Sequence, residues 1–206
     1  MSGVTDLPYR LLAKECGADV TITEFTNSTA LTREAATSWR RMEPHETEVP
    51  FIPQIFGGDP GDMATAAEML APAADVIDLN FGCPAPKVTN ICAGAALMGE
   101  PDRLVNMVET IVDRVNVPVT AKMRLGTGGD RANNSTEICE RLEGVGARRL
   151  CIHGRTLKQR YAGEADWTSI KEAVEKVEVP VVANGDVVDA ALSLIHISEP
   201  TRQKPI

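Results

Sequence analysis

Short β-branched runs alternate with helix-period stripes along most of this chain, and that alternation restricts the fold more than any other feature. Residues 20–23, 51–56, 76–80, 119–123, 149–153 and 181–183 read as strands. Between them, apolar residues recur at helical spacing. Met63, Ala66, Ala67 and Leu70 form one stripe, and Leu104, Val108, Ile111 and Val115 another. Ile138, Leu142 and Val145 form a third, and Trp167, Ile170, Val174 and Val177 a fourth, with Asp166 as its cap. An earlier helix is expected to open at Leu7-Pro8 behind Asp6, with Leu11, Leu12 and Cys16 turned inward. Parallel strands need crossover connections, so this pattern implies a parallel sheet, either open and doubly wound or closed as a barrel.

Two observations favour the barrel. No G-x-G-x-x-G follows a strand and opens a helix, which weakens the dinucleotide-binding form of the open sheet. Polar residues also stand at the carboxyl end of nearly every expected strand: Glu24, Gln54, Asn80, Lys122 with Arg124, His153, and Asn184 with Asp186. In βα barrels that rim is where sites are built. The expected class is therefore α/β, a (β/α)8 TIM barrel. At 206 residues the chain is short of the ~250 that such a barrel takes.

Composition narrows function further. The net charge of −8 argues against a generic nucleic-acid coat, because phosphate binding is driven by Lys and Arg. Five cysteines occur without a C-x-x-C pair, so neither a disulfide framework nor a metal site is expected, and a reducing cytoplasm is the natural compartment. No apolar run approaches the ~20 residues that span a bilayer, so no membrane partner is expected.

Several stretches, in order, resemble the tRNA-dihydrouridine synthase family. They are Met1-Ser2-Gly3-Val4-Thr5-Asp6, Pro53-Gln54-Ile55-Phe56-Gly57, Asp78-Leu79-Asn80-Phe81-Gly82-Cys83-Pro84 and Ala93-Gly94-Ala95-Ala96-Leu97-Met98. Val119-Thr120-Ala121-Lys122-Met123-Arg124, Ile152-His153-Gly154-Arg155-Thr156 and Ala183-Asn184-Gly185-Asp186 complete the set. The resemblance implies an FMN-binding βα barrel over residues 1–191, incomplete, with the first and eighth strands and the helical tRNA-binding domain missing. Residues 192–206 depart from the family, and Ser193 to Arg202 resemble translated sequencing-adapter DNA. Two unpaired parallel edges are then expected to make the chain poorly soluble.

The resemblance also implies a cytoplasmic enzyme that reduces the 5,6 double bond of uridines in tRNA, using FMN and NADPH. Cys83 would be the catalytic proton donor. Met1, Ser2, Gln54, Asn80, Lys122, His153, Asn184, Gly185 and Asp186 would bind the cofactor, and Arg124 and Arg155 the substrate. The residue types suit those roles. A thiol is mostly protonated at neutral pH yet acidic enough to donate. Amides such as Gln54 and Asn80 offer both donor and acceptor to a ring edge, and an ammonium ending a strand, as Lys122 does, is costly to bury unless it has a negative partner. The bland alternatives are a buried Cys83, which is the usual fate of a free thiol, and an internal salt bridge for Lys122. Cys16, Cys139 and Cys151 lie on apolar faces and read as core residues. A flavin barrel acting on free pyrimidines and an inactive remnant are the rival functions.

Overall fold

The structure, a computed structural model, describes residues 3–129 and 133–188. Six parallel strands form one sheet in the order β1-β2-β3-β4-β5-β6. They are β1 (Thr26–Asn27), β2 (Gln54–Phe56), β3 (Ile77–Phe81), β4 (Val119–Arg124), β5 (Arg149–His153) and β6 (Val181–Asn184). Each strand lies beside its predecessor, with no reversal of winding. A doubly wound sheet would show a switch point where the order turns back. Sequential parallel order is barrel order, and the described strands are those of an incomplete (β/α)8 barrel.

Strand alternation separates two faces. Ile55, Leu79, Phe81, Ala121, Met123, Leu150 and Ile152 point outward into the main core. There they meet Met63 and Leu70 of α4 (Pro60–Leu70), Leu104, Val108 and Ile111 of α6 (Pro101–Arg114), and Ile138 and Leu142 of α7 (Ser135–Gly144). Ile170 and Ala173 of α8 (Trp167–Lys176) close that layer. Each of the leucine, isoleucine, valine, methionine and phenylalanine side chains, fully buried, contributes ~1.5–3 kcal/mol. The helices start where their caps put them. Asp59 accepts from Asp62 N at 2.8 Å ahead of α4, and Asp166 accepts from Ser169 N at 3.0 Å ahead of α8.

The structure corrects three expectations. The first strand is not at residues 20–23 but at Thr26–Asn27. Residues 20–25 do run beside the next segment, and Thr23 N donates to Ile52 O at 3.1 Å. Pro53 then has no N–H, and Gln54 N donates to the Thr23 hydroxyl at 3.0 Å instead of to a main-chain carbonyl. The ladder is broken there and resumes at Thr26↔Ile55.

The second correction concerns α1 (Leu7–Glu15), which is capped by Asp6 as expected but does not turn Leu12 and Cys16 inward. Leu12 is 57% exposed and Cys16 is exposed. The buried residue of this helix is Arg10, whose guanidinium forks onto Glu48 at 2.6 and 3.0 Å. A charge pair, not an apolar stripe, holds the helix. The third is in α8, where Val174 is exposed and Ala173 takes its place in the buried stripe.

Between β1 and β2 lie two helices that the sequence pattern does not announce, α2 (Ser28–Thr32) and α3 (Ala36–Arg41). A short α5 (Pro86–Thr89) and a 3-10 turn (Gly94–Gly99) follow β3. No helix of the described residues is long and apolar enough to cross a membrane. Met1, Ser2 and the adapter-like stretch lie outside the described residues.

Candidate active site

The inward face of the sheet is polar, unlike the branched aliphatic filling usual in this architecture. Register places Gln54 beside Asp78 and Asp78 beside Thr120. One layer up, Asn80 pairs with Lys122 and Lys122 with Cys151. Above that, Arg124 pairs with His153 and His153 with Asn184. The expected site residues on β2 to β6 therefore share one face and rise towards one rim.

A continuous hydrogen-bond chain runs through the first two layers. Thr120 Oγ1 donates to Asp78 Oδ1 in a short contact, and Gln54 Nε2 donates to Asp78 Oδ2 at 2.5 Å. Asn80 Nδ2 donates to Gln54 Oε1 at 2.9 Å. Asn80 Oδ1 then accepts from Gly82 N at 3.1 Å and Cys83 N at 3.0 Å. Asp78 is 2% exposed, and burial pushes its carboxyl above the ordinary carboxylate range, against the hydrogen bonds from Thr120 and Gln54 and the charge of Arg149.

Cys83 sits past the end of β3, where these bonds fix its main chain. Its carbonyl accepts from Ala95 N at 3.0 Å. The thiol belongs to a small apolar cluster with Val88 and Ala93, flanked by Phe25, Phe56 and Ala85. Arg124 braces the same turn from the other side. It is 1% exposed, and its Nε donates to Gly82 O at 2.8 Å. Its Nη1 donates to Thr156 O at 3.0 Å and Arg160 O at 2.7 Å, so one guanidinium ties the β3 loop to the β5 loop. Tyr161, 73% exposed, lies with its ring centroid 5.5 Å from the Arg124 guanidinium carbon.

Lys122 is half-buried on the inward face. Its charge acts on Asp78, Cys151 and His153, and no carboxylate among the described residues forms an ion pair with it. His153 is pushed down to about 4, first by burial and then by the positive charges of Arg124, Lys122 and Arg155. Its Nε2 lies 3.3 Å from Arg155 Nη1. Because a guanidinium only donates, Nε2 is the acceptor and the neutral ring carries its proton on Nδ1.

Arg155 Nη2 also donates to both oxygens of Asp186 at 2.8 Å and to Gly163 O at 2.6 Å. That pairing holds the Asp186 carboxyl below the ordinary range. Asp186 further accepts from Ala165 N at 2.7 Å. Gly185 has φ +114°, and a Cβ there would stand 2.9 Å from His153 Cδ2, so this turn requires glycine twice over.

The structure thus brings Gln54, Asn80 and the Cys83 main chain into one network. It brings His153, Arg155 and Asp186 into a second, with Lys122 between them in register. Met1 and Ser2 lie outside the described residues. Asp78, Thr120 and Tyr161 were not singled out from the sequence. Asp78 had a signal, since it stands two residues before Asn80 and so shares its face; Tyr161, in a loop, had none. Of the remaining thiols, Cys139 is buried and pushed up to about 12 by that burial, as a core cysteine should be, whereas Cys16 is exposed and Cys151, expected on an apolar face, stands half-buried beside Lys122 on the polar inward face. Among the described residues, no group of three or more His, Cys, Asp or Glu is placed to hold a metal ion.

These features define a parallel βα barrel with a polar, cation-bearing site on the inward face and carboxyl rim of its strands. The profile of the dihydrouridine synthase (Dus) family matches residues 1–201. The chain belongs to that family. It is 43% identical over 188 residues to a protein of Rhizobium leguminosarum bv. phaseoli named probable tRNA-dihydrouridine synthase, covering 91% of this chain and 59% of that protein. A protein of the same name from Rhodobacter capsulatus is 42% identical over 193 residues, covering 93% of this chain and 59% of the relative. The tRNA-dihydrouridine synthase B of Escherichia coli K12 is 40% identical over 190 residues, with 92% and 59% covered. The chain spans about 59% of the length of these curated relatives.

Proposed function

We propose that this chain carries the catalytic barrel of a tRNA-dihydrouridine synthase, which reduces the 5,6 double bond of uridine in tRNA with FMN and NADPH. The observation that carries this reading is the Asn80 carboxamide under the Gly82–Cys83 turn, which sets Cys83 beside a polar face that holds Lys122, a cation with no ion-paired carboxylate among the described residues.

FMN fits the donor set. Gln54 and Asn80 each use their oxygen and one amide N–H within the chain, which leaves each a second N–H for a carbonyl-bearing ring edge. Lys122 supplies positive charge and forms no ion pair with a carboxylate among the described residues, which suits a ring that becomes anionic on reduction. Asn184 and Gly185 offer main chain at the rim for the phosphate end. Neutral His153 offers an Nδ1–H without adding charge. When bound, FMN would supply the hydride.

The uracil C5=C6 bond is conjugated with the C4 carbonyl, so hydride adds at C6 and the proton must reach C5. Cys83 is proposed to donate that proton and to be reprotonated from solvent. Arg124 and Arg155 are proposed to act by holding loops rather than by touching RNA, because most of their N–H groups are engaged by carbonyls and by Asp186. Asp186 likewise is proposed to act through Arg155. These roles are proposed in place of the substrate and cofactor contacts expected for the three residues.

The test uses the complete source reading frame, expressed and loaded with FMN. With NADPH it should form dihydrouridine in unmodified tRNA and none in free uridine, read by nucleoside mass spectrometry. Cys83→Ala should keep its bound flavin and lose most turnover. Product from free uridine alone would overturn the tRNA reading, and full turnover by Cys83→Ala would remove the thiol from the mechanism.

A further inference from the structure

We propose that Asp78 is a positioning residue for Cys83: its carboxylate fixes the orientation of Gln54 and, through Asn80, the main chain of the Gly82–Cys83 turn. The functional weight of this inference rests on Cys83 being the proton donor.

The argument is one of donors and acceptors. Both Asp78 oxygens accept, Oδ1 from the Thr120 hydroxyl and Oδ2 from the Gln54 amide. Gln54 must therefore turn its NH2 towards Asp78 and its oxygen towards Asn80. If the amide were reversed, oxygen would face carboxylate and NH2 would face NH2. The same constraint passes on. Asn80 must give its NH2 to Gln54, and only then does its oxygen lie beneath the two main-chain N–H groups of Gly82 and Cys83. Every bond in the series donates in one direction, towards Asp78.

Removing the acceptor that faces Gln54 frees its amide to reverse, and a reversed Gln54 reverses Asn80. The Gly82 and Cys83 N–H groups would then lose their shared acceptor at once. Arg149, 3.9 Å from Asp78 Oδ1, and the Lys122 charge oppose the upward push of burial on this carboxyl without occupying the Gln54 bond.

The thiols themselves report the outcome. Iodoacetamide labelling resolved by peptide mass spectrometry gives separate rates for Cys83 and for Cys139, which is buried in α7 on the far side of the sheet. Asp78→Ala and, independently, Gln54→Leu should each raise Cys83 labelling by about tenfold, the factor that loss of one or two net hydrogen bonds gives. Cys139 should be unchanged. Asp78→Asn should stay within about twofold of the parent, because its oxygen still accepts from Gln54 while the Thr120 hydroxyl turns to accept.

Unchanged Cys83 labelling in both disrupting variants would overturn the proposal. So would a parallel rise at Cys139, which would mean general loosening. The readout needs no turnover, so inactivity on tRNA with Cys83-selective labelling would remove the proposed activity and support the positioning role.

Discussion

Acidification is expected to leave His153 neutral long after an ordinary imidazole has charged. The ring starts from 6.5 and is driven to about 4 by burial and by three neighbouring cations. At pH 5.3 a free imidazole is about 94% protonated, whereas this ring would be about 5% protonated. The sign of the coupled stability follows. The folded form holds the proton less tightly than the unfolded chain, so the neutral ring's contribution is complete above about pH 6.5 and is lost as pH falls towards 4. The interval corresponds to ~3 kcal/mol at full weight, and solvent screening of a ring near the rim reduces this to about 1–2 kcal/mol. The assay is NMR titration of the histidine C2 protons of flavin-free protein, with His153→Gln identifying the resonance. Urea unfolding at pH 7 and pH 5 measures the matching loss. Lys122→Met should raise the His153 midpoint, because it deletes a positive neighbour and breaks no ion pair among the described residues. A midpoint at or above 6.5 in the parent protein, or no rise in Lys122→Met, would refute the reasoning.

Two structural consequences can be tested alongside it. A Cβ on Gly58 would stand 2.2 Å from Ile91 O and 3.2 Å from Cys92 O, both main-chain atoms, so Gly58→Ala should cost at least ~1–3 kcal/mol in urea unfolding. Gly144→Ala, where nothing lies within 4 Å of the added carbon, is the control and should be neutral or slightly stabilising. Arg10→Met leaves Glu48 buried without its partner and should cost about 3–5 kcal/mol, while pairing it with Glu48→Leu should recover much of that loss. Equal stability of the single and double variants would show that the ion pair is not what fastens α1.

The sequence made the outer half of the fold legible because that half is periodic. Leu104, Val108 and Ile111 at helical spacing, or Leu150 and Ile152 two apart, announce their faces before any coordinate is known. What escaped has a physical reason in each case. The first strand misled because its ladder is interrupted by a side chain, Thr23, acting in place of a carbonyl. α1 misled because one buried arginine outweighs an apolar stripe. Within the site, residue types were readable and their commitments were not. Arg124 and Arg155 look like ligand contacts in a one-dimensional reading, and only the fold shows the carbonyls of Gly82, Thr156, Arg160 and Gly163 standing in front of their N–H groups.

That division follows from the pleat. Along β3, Leu79 and Phe81 face the helices while Asp78 and Asn80 face the axis, so stability and chemistry are written in alternate letters of one five-residue run. A slip of one residue would exchange the two sets, placing a carboxylate in the apolar layer and a leucine in the amide chain. The penalty for that slip is large on both faces, and so the site's own hydrogen bonds help to set the register of the sheet that carries them. The Asp78–Gln54 and Asp78–Thr120 bonds each join neighbouring strands across the inward face. The Cys83 and Cys139 labelling rates of the Asp78 variants therefore separate an effect on the turn, which is the one expected, from an effect on the register. A loosened turn exposes the first thiol alone, whereas a lost register opens the outer layer and exposes the second as well.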